Sequence, residues 1–257
     1  MYNINKLTFS YKDKIIFKNI NLSLDQGKFI TVIGPDGSGK TTLLNLLLYN
    51  LIPDSGEIFF FGQLLDKYSI KEISKIIAYI PQNINLKFPF SCFDFVSLAR
   101  KSLKNKFDKL NSIDLEIINK YMEETDTLKL TEKKITEISD AEKQRVLFAK
   151  TLAQTSKVFL LDEAFSSLDI YYKIKFLDKL KEMVKKENVS IITVMNDLNL
   201  TDIYSDIIIA LNKGKVIKYG KREEIMTIDF LKSLFKVNNI KKTGKQGIII
   251  KPGLLKK

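Results

Sequence analysis

The sequence predicts an α/β fold: a mostly parallel sheet with helices on both faces, an antiparallel β side sheet and a helical subdomain. Three observations point there. Strand-sized apolar runs alternate with helical stretches from Lys28 onward, the pattern of a parallel sheet wrapped by helices. The N-terminal stretch places apolar residues at Ile4, Leu7 and Phe9, at Ile15 to Phe17, and at Ile20, Leu22 and Leu24, which reads as short antiparallel strands. From Ser91 to about Thr136 the pattern turns helical and more charged, which reads as a separate subdomain.

Taken in order, Lys28–Ile33 is a buried strand entering a glycine-rich turn, and Lys40–Leu51 is a helix with leucines on its inner face. Pro53, Asp54, Ser55 and Gly56 make a turn into a strand over Glu57–Phe61. Ile76–Ile80 is a strand closed by Pro81, followed by a loop through Pro89. A helix over Ala141–Gln154, a buried strand over Lys157–Leu161 and an amphipathic helix over Ile170–Lys186 come next. Two further strands, Val189–Val194 and Asp206–Leu211, precede a hairpin turn at Asn212-Lys213-Gly214 into Lys215–Tyr219. A short helix near Ile228–Phe235 and a lone strand over Gly247–Ile250 end the reading.

Composition excludes several chemistries. With 257 residues the chain can bury a large core. It has one cysteine, Cys92, so no intrachain disulfide forms, and no histidine, so histidine metal ligands, general bases and Ser-His-Asp triads are absent. No apolar run approaches the roughly 18 residues that span a bilayer, and the start MYNINKLTFS has no apolar signal core. Any membrane link is expected to run through a partner. Lysine and arginine number 42 against 30 acidic residues, a net charge of +12. Apart from the tail (Lys241, Lys242, Lys245, Lys251, Lys256, Lys257) the lysines are scattered, which reads as a lysine-rich composition rather than a nucleic-acid face. A basic surface also suits proximity to an anionic bilayer.

The strongest motif is Gly34-Pro35-Asp36-Gly37-Ser38-Gly39-Lys40-Thr41, which fits G-x-x-x-x-G-K-[ST] between a predicted strand and a predicted helix. Glycines let backbone N–H groups curl around phosphate oxygens, and the helix N-terminus adds partial positive charge. In such a loop Lys40 reaches the β and γ phosphates and the Thr41 hydroxyl holds Mg²⁺, with Thr42 beside it among the nucleotide contacts. The second motif is Val158-Phe159-Leu160-Leu161-Asp162-Glu163: a buried strand ending in two carboxylates, at the sheet edge where ligands bind. Asp162 suits Mg²⁺, and Glu163 suits the general base that polarises the attacking water.

With these motifs in place the chain resembles an ATP-binding-cassette (ABC) ATPase over nearly its full length. The resemblance implies a P-loop core, ATP and Mg²⁺ as ligands, and further site residues. Tyr11 stands where the family places an aromatic residue against adenine. Gln82, after a strand and Pro81, matches the Q-loop glutamine that contacts Mg²⁺ and couples to a transmembrane partner. Ser139 through Arg145 occupies the signature segment, and Ser166-Ser167-Leu168-Asp169 matches the D-loop, so that Ser139 and Asp169 join the nucleotide contacts. Phe88-Pro89-Phe90-Ser91 with Asp94-Phe95-Val96 and Arg100, and Tyr219-Gly220 with the Glu-rich turn after it, look like importers of iron-siderophores, haem and vitamin B12.

The resemblance also implies organisation and partners. Residues 1–82 and 155–220 are expected to form the nucleotide-binding core with its side sheet. Residues 83–154 are expected to form the helical subdomain with the signature segment, and 221–257 a C-terminal extension. A second ABC ATPase subunit, identical or not, would complete the site. Transmembrane permease subunits would bind the pair and hold it on the cytoplasmic face of the cell membrane, with a substrate-binding protein engaged indirectly. A soluble ABC protein acting on DNA or ribosomes would show a long coiled-coil insert or tandem cassettes; neither is present, and no nucleic-acid partner is expected.

Two positions depart from the family pattern. The signature, usually S-G-G-x-x-Q-R, reads Ser139-Asp140-Ala141-Glu142-Lys143-Gln144-Arg145. Ser139-x-x-Glu142 makes a good capping box, but Asp140 near a γ-phosphate would repel it, by about 4 kcal/mol for unit charges ~4 Å apart at an effective dielectric of 20. In Thr193-Val194-Met195-Asn196-Asp197-Leu198, Asn196 stands where the family carries a γ-phosphate-contacting histidine, and an amide donates a hydrogen bond without positive charge. Two readings stay open: a working transport ATPase, or a nucleotide-binding subunit impaired in hydrolysis that pairs with a more typical one.

Overall fold

The computed structural model describes residues 1–82, 88–104, 108–237, 240–242 and 248–250. In chain order the elements begin with β1 (Tyr2–Tyr11), β2 (Lys14–Leu24), β3 (Phe29–Ile33), α1 (Lys40–Leu47), β4 (Ser55–Phe60) and β5 (Gln63–Leu64). Then come α2 (Ile70–Ile76), β6 (Ile77–Ile80), α3 (Cys92–Lys101), α4 (Ser112–Glu124), α5 (Asp140–Ala153), β7 (Val158–Asp162) and α6 (Ile170–Glu187). The chain continues through β8 (Ser190–Val194), α7 (Leu198–Tyr204), β9 (Ile207–Asn212), β10 (Lys215–Lys221), α8 (Arg222–Ile225), α9 (Ile228–Phe235), β11 (Ile240–Lys242) and β12 (Ile248–Ile250). Two compact units result: Met1–Tyr68 with Leu180–Lys257, and Ser69–Lys179.

In the first unit an antiparallel sheet of order β2-β1-β4-β5 forms from the alternating N-terminal strands. Its alternate residues Ile4, Leu22, Leu24 and Ile58 are buried, as a one-faced sheet requires. β3 is buried along its whole length and pairs in parallel with both β8 and β9, Val32 standing opposite Val194 and Ile209. A strand covered on both faces needs an apolar run rather than alternation, which Phe29-Ile30-Thr31-Val32-Ile33 supplies. β9 and β10 form the hairpin expected at Asn212-Lys213-Gly214, with Lys213 and Gly214 at positive φ. A cluster of Ile33, Ile208, Ala210, Ile225, Leu231 and Leu234 packs α8 and α9 against the strands.

In the second unit β6 and β7 pair in parallel, Tyr79 opposite Leu160 and Ile80 opposite Leu161. Phe148 of α5 stacks on Phe176 of α6 at 4.5 Å and lies 5.4 Å from Phe165. Each fully buried ring of this kind contributes roughly 1.5–3 kcal/mol. The α3–α4 corner is fixed by Arg100: its Nε donates to Asp114 Oδ1 at 3.0 Å, and its Nη1 donates to Ala153 O and Thr155 Oγ1. Lys104 Nζ adds a 2.7 Å contact to the same carboxylate.

Several boundaries differ from the sequence reading. The helix expected over Lys40–Leu51 stops at Leu47, because Tyr49 turns left-handed at φ 61. α2, α7 and α8 were not anticipated. α8 replaces the expected Glu-rich turn, and α2 and α7 are seven-residue helices, too short for a clear period. The strand near the C-terminus is not alone: Ile248–Ile250 pairs antiparallel with Ile240–Lys242. Gly247, the tail lysines Lys245, Lys251, Lys256 and Lys257, and part of the loop toward Pro89 lie outside the described residues. Among the described residues no helix is long and apolar enough to cross a membrane.

Candidate nucleotide site

The first unit supplies the phosphate loop. β3 ends at Ile33 and the chain turns through Gly34–Gly39 into α1. Gly34 has φ 155, and a Cβ there would meet Leu211 O at 2.2 Å. Gly39 sits at the N-cap with φ 104, and a Cβ there would strike Phe17 Cζ at 2.8 Å. The turn therefore needs glycine at both positions. Gly39 places no side-chain cap on the first turn of α1, so the positive end of the helix faces the loop.

Lys40 and Ser38 complete this cradle. Lys40 is buried, and its Nζ donates to Gly34 O at 2.8 Å and Pro35 O at 3.2 Å, folding the side chain back over the loop. Asp36 approaches Lys40 at only 3.8 Å and is fully exposed, so it does not neutralise the ammonium. Ser38 Oγ is buried with no hydrogen-bond partner among the described residues. An orphaned hydroxyl, a buried ammonium held by neutral carbonyls and the positive end of a helix together fit a phosphate chain. Gly37 is exposed, Thr41 is exposed at the head of α1, and Thr42 is buried beside it.

Tyr11 closes β1 opposite Lys14 and is 46% exposed, its ring edge-on to Phe9 at 4.9 Å. It thus offers an open aromatic face, as an adenine contact requires. Asn196 follows Met195 at the end of β8 and is exposed. The next residue, Asp197, caps α7 by accepting from Asn199 N and Leu200 N. That capping explains why the segment leaves the sheet where it does.

The second unit holds the acidic residues singled out in the sequence. Asp162 ends β7 fully buried, and Glu163 follows half-buried in the left-handed region at φ 48. Such a backbone in a non-glycine residue clusters at functional sites. Burial pushes the Tyr79 hydroxyl up to about 12, and the nearby Asp162 charge adds to this. Gln82 is exposed just beyond β6. Asp169 starts α6, its Oδ1 accepting from Tyr172 N at 3.0 Å. Among the described residues no cluster of three or more acids or cysteines could hold a metal alone.

The signature segment forms as its capping box predicts. Ser139 is the N-cap of α5, Glu142 N donates to Ser139 Oγ, and Ser139 N donates to Glu142 Oε2. Ser139 Oγ also donates to Glu142 Oε2 at 2.8 Å, and the donations from the Ser139 backbone and hydroxyl hold the Glu142 carboxyl below its usual range. Asp140 points into water, its side chain 89% exposed and 2.9 Å from Lys143 Nζ. Solvent and that lysine screen it and weaken its repulsion of any anion nearby. The start of α5 nonetheless already holds two carboxylates where an anion site would need none. The sequence reading missed Lys143 as Asp140's partner, although the i,i+3 spacing signals it. It also missed Phe17, which backs the phosphate loop.

Comparison with known proteins shows the family and the fold. Residues 17–166 match the family model described as ABC transporter. The iron(3+)-hydroxamate import ATP-binding protein FhuC of Bacillus subtilis is 34% identical over 233 residues, 91% of this chain and 87% of that protein. The hemin import ATP-binding protein HmuV of Shewanella denitrificans is 30% identical, covering 91% of this chain and 93% of its own. A metal-chelate-type ABC transporter solved in an inward-facing conformation superposes with a TM-score of 0.78 at 26% identity, over 96% of this chain and 94% of that one.

Proposed function

This chain belongs to the ABC transporter family, and we propose that it is the ATP-binding and ATP-hydrolysing subunit of an importer for a metal chelate of the siderophore or haem class. The observation that carries this reading is the loop at Gly34–Thr42, with its orphaned Ser38 hydroxyl, buried Lys40 and uncapped helix. The substrate class comes from what relatives import: an iron hydroxamate for FhuC and hemin for HmuV.

In this reading Tyr11 holds the adenine, and Lys40 leaves its two carbonyls to bind the outer phosphates. Ser38, Thr41 and Thr42 add hydroxyl contacts. Thr41 and Asp162, with Gln82, would hold Mg²⁺, which when bound screens the phosphate charge. Glu163 takes the proton of the attacking water, and Asn196 orients that water with a neutral amide. A second cassette, identical or not, contributes the counterparts of Ser139 and Asp169 across a dimer. Residues 83–154 are the subdomain that meets the permease, which places the chain at the cytoplasmic face of the membrane.

A second reading, a subunit that binds ATP and hydrolyses it poorly, is favoured by Asp140 and Glu142 at the start of α5 and by Asn196 in place of a cation. Equilibrium titration with a fluorescent ATP analogue and Mg²⁺ tests the shared core of both. Saturable binding that is lost in Lys40→Ala supports them, and equal binding by the two proteins refutes them.

A further inference from the structure

Two adjacent side chains of α5 reach the segment between Glu163 and Tyr172 at both of its ends. Gln144 is buried, and its Nε2 donates to Ala164 O at 2.6 Å, one residue after Glu163. Arg145 is also buried, and its Nη1 donates to the Tyr172 hydroxyl at 2.8 Å and to Asp126 O at 3.0 Å. Its guanidinium carbon lies 4.5 Å from the centroid of the Tyr172 ring. Tyr172 N in turn donates to Asp169 Oδ1 at 3.0 Å, so that the residue gripped by Arg145 also holds the Asp169 side chain.

Among the described residues, the groups that Arg145 touches in this grip are neutral: a hydroxyl, a carbonyl and a ring face. Its Nε is buried without a partner among the described residues. The Asp126 carboxylate nearby is occupied instead by Lys175 Nζ at 2.6 Å. A buried cation with an incomplete set of hydrogen bonds is a poor stabilising device. It does fix direction, because a planar guanidinium has few orientations that satisfy a hydroxyl, a carbonyl and a ring at once. Between the two grips the backbone turns tightly, with Ser166 N donating to Glu163 O at 3.1 Å and Leu168 N to Phe165 O at 3.3 Å. Ala164, Phe165 and Leu168 bury this turn beside α5, with the Phe165 ring 5.4 Å from Phe148.

We propose that Tyr172 is a positioning residue for nucleotide turnover: through Arg145 it locks the Glu163–Asp169 segment to the helix that carries Ser139. Signature helix, water-activating carboxylate and Asp169 then move as one body. The proposal rests on the nucleotide reading of these segments above.

The test uses the full chain as Tyr172→Phe, Arg145→Lys and the double variant. Tyr172→Phe keeps the ring over the guanidinium and removes only the hydroxyl. In nucleotide-free protein, amide hydrogen exchange of residues 164–169 is expected to rise about tenfold in Tyr172→Phe, the loss of one hydrogen bond to a charged group, with α4 and the rest of α5 unchanged. With Mg-ATP, kcat is expected to fall about tenfold while KM stays within about twofold, and the double variant falls no further than the worse single one. Unchanged exchange at 164–169, exchange rising equally through α4 and α5, or additive losses in the double variant would overturn the proposal. If the parent cleaves no ATP, the hydrolysis reading fails, and the exchange measurement alone decides the positioning role.

Discussion

Asp140 Oδ1 and Lys143 Nζ lie 2.9 Å apart at the start of α5, the helix whose N-terminus faces a phosphate in the proposed reading. The pair turns the acidic side chain along the helix surface. What remains at the terminus is a capped end, with Ser139 and Glu142 bonded to each other, rather than an open set of N–H donors.

Asp140→Asn should therefore raise ATP turnover only modestly. An exposed and partly paired charge interacts by about 1 kcal/mol or less, so a gain of at most about fivefold is expected, shrinking as salt is raised. Steady-state phosphate release at low and high ionic strength measures it. A gain above a hundredfold would mean that Asp140 stands against the phosphate without screening.

Lys40→Ala should leave the fold intact and weaken nucleotide binding by roughly 10- to 150-fold, the range for losing a hydrogen bond from a charged group to phosphate. Its present partners are two backbone carbonyls of the loop, which solvent can satisfy in the variant. Circular dichroism and analogue titration separate the two effects.

Much of this was legible in the sequence, and the parts that were not have physical reasons. Gly34 through Thr41 could be read because spacing alone dictates the loop, and both steric approaches, at Leu211 O and Phe17, confirm the need for glycine. The capping box at Ser139 was equally local and forms as read. α2 carried the same kind of signal, Ser69 and Glu72 three residues apart, but its seven residues give barely two turns of period. α7 is buried at Leu198, Leu200, Thr201 and Asp202, with no one-sided pattern to find. The grips of Gln144 and Arg145 join residues 20 and 27 positions apart, and only the fold brings them together.

Stability should fall on acidification through the α3–α4 corner. Burial pushes the Asp114 carboxyl up, but Lys104, the Asn111 N–H and Arg100 outweigh it and hold the group at about 2, below its ordinary 3.8. A carboxyl lowered on folding stabilises the native state above its unfolded value and loses that contribution as pH falls from ~4 toward 2. The contribution is about 2 kcal/mol at neutral pH. Urea unfolding of Asp114→Asn against the parent should show that deficit at pH 7 and convergence near pH 2; a pH-independent gap would contradict it.

The most direct test of the account is Mg-ATP hydrolysis by the purified chain beside Glu163→Gln and a variant combining Asp140→Gly, Ala141→Gly and Asn196→His. Slow, saturable turnover is expected in the parent, none in Glu163→Gln despite retained binding, and faster turnover in the combined variant. Equal rates in the parent and Glu163→Gln would contradict the assignment of the water-activating carboxylate and the nucleotide site built around it.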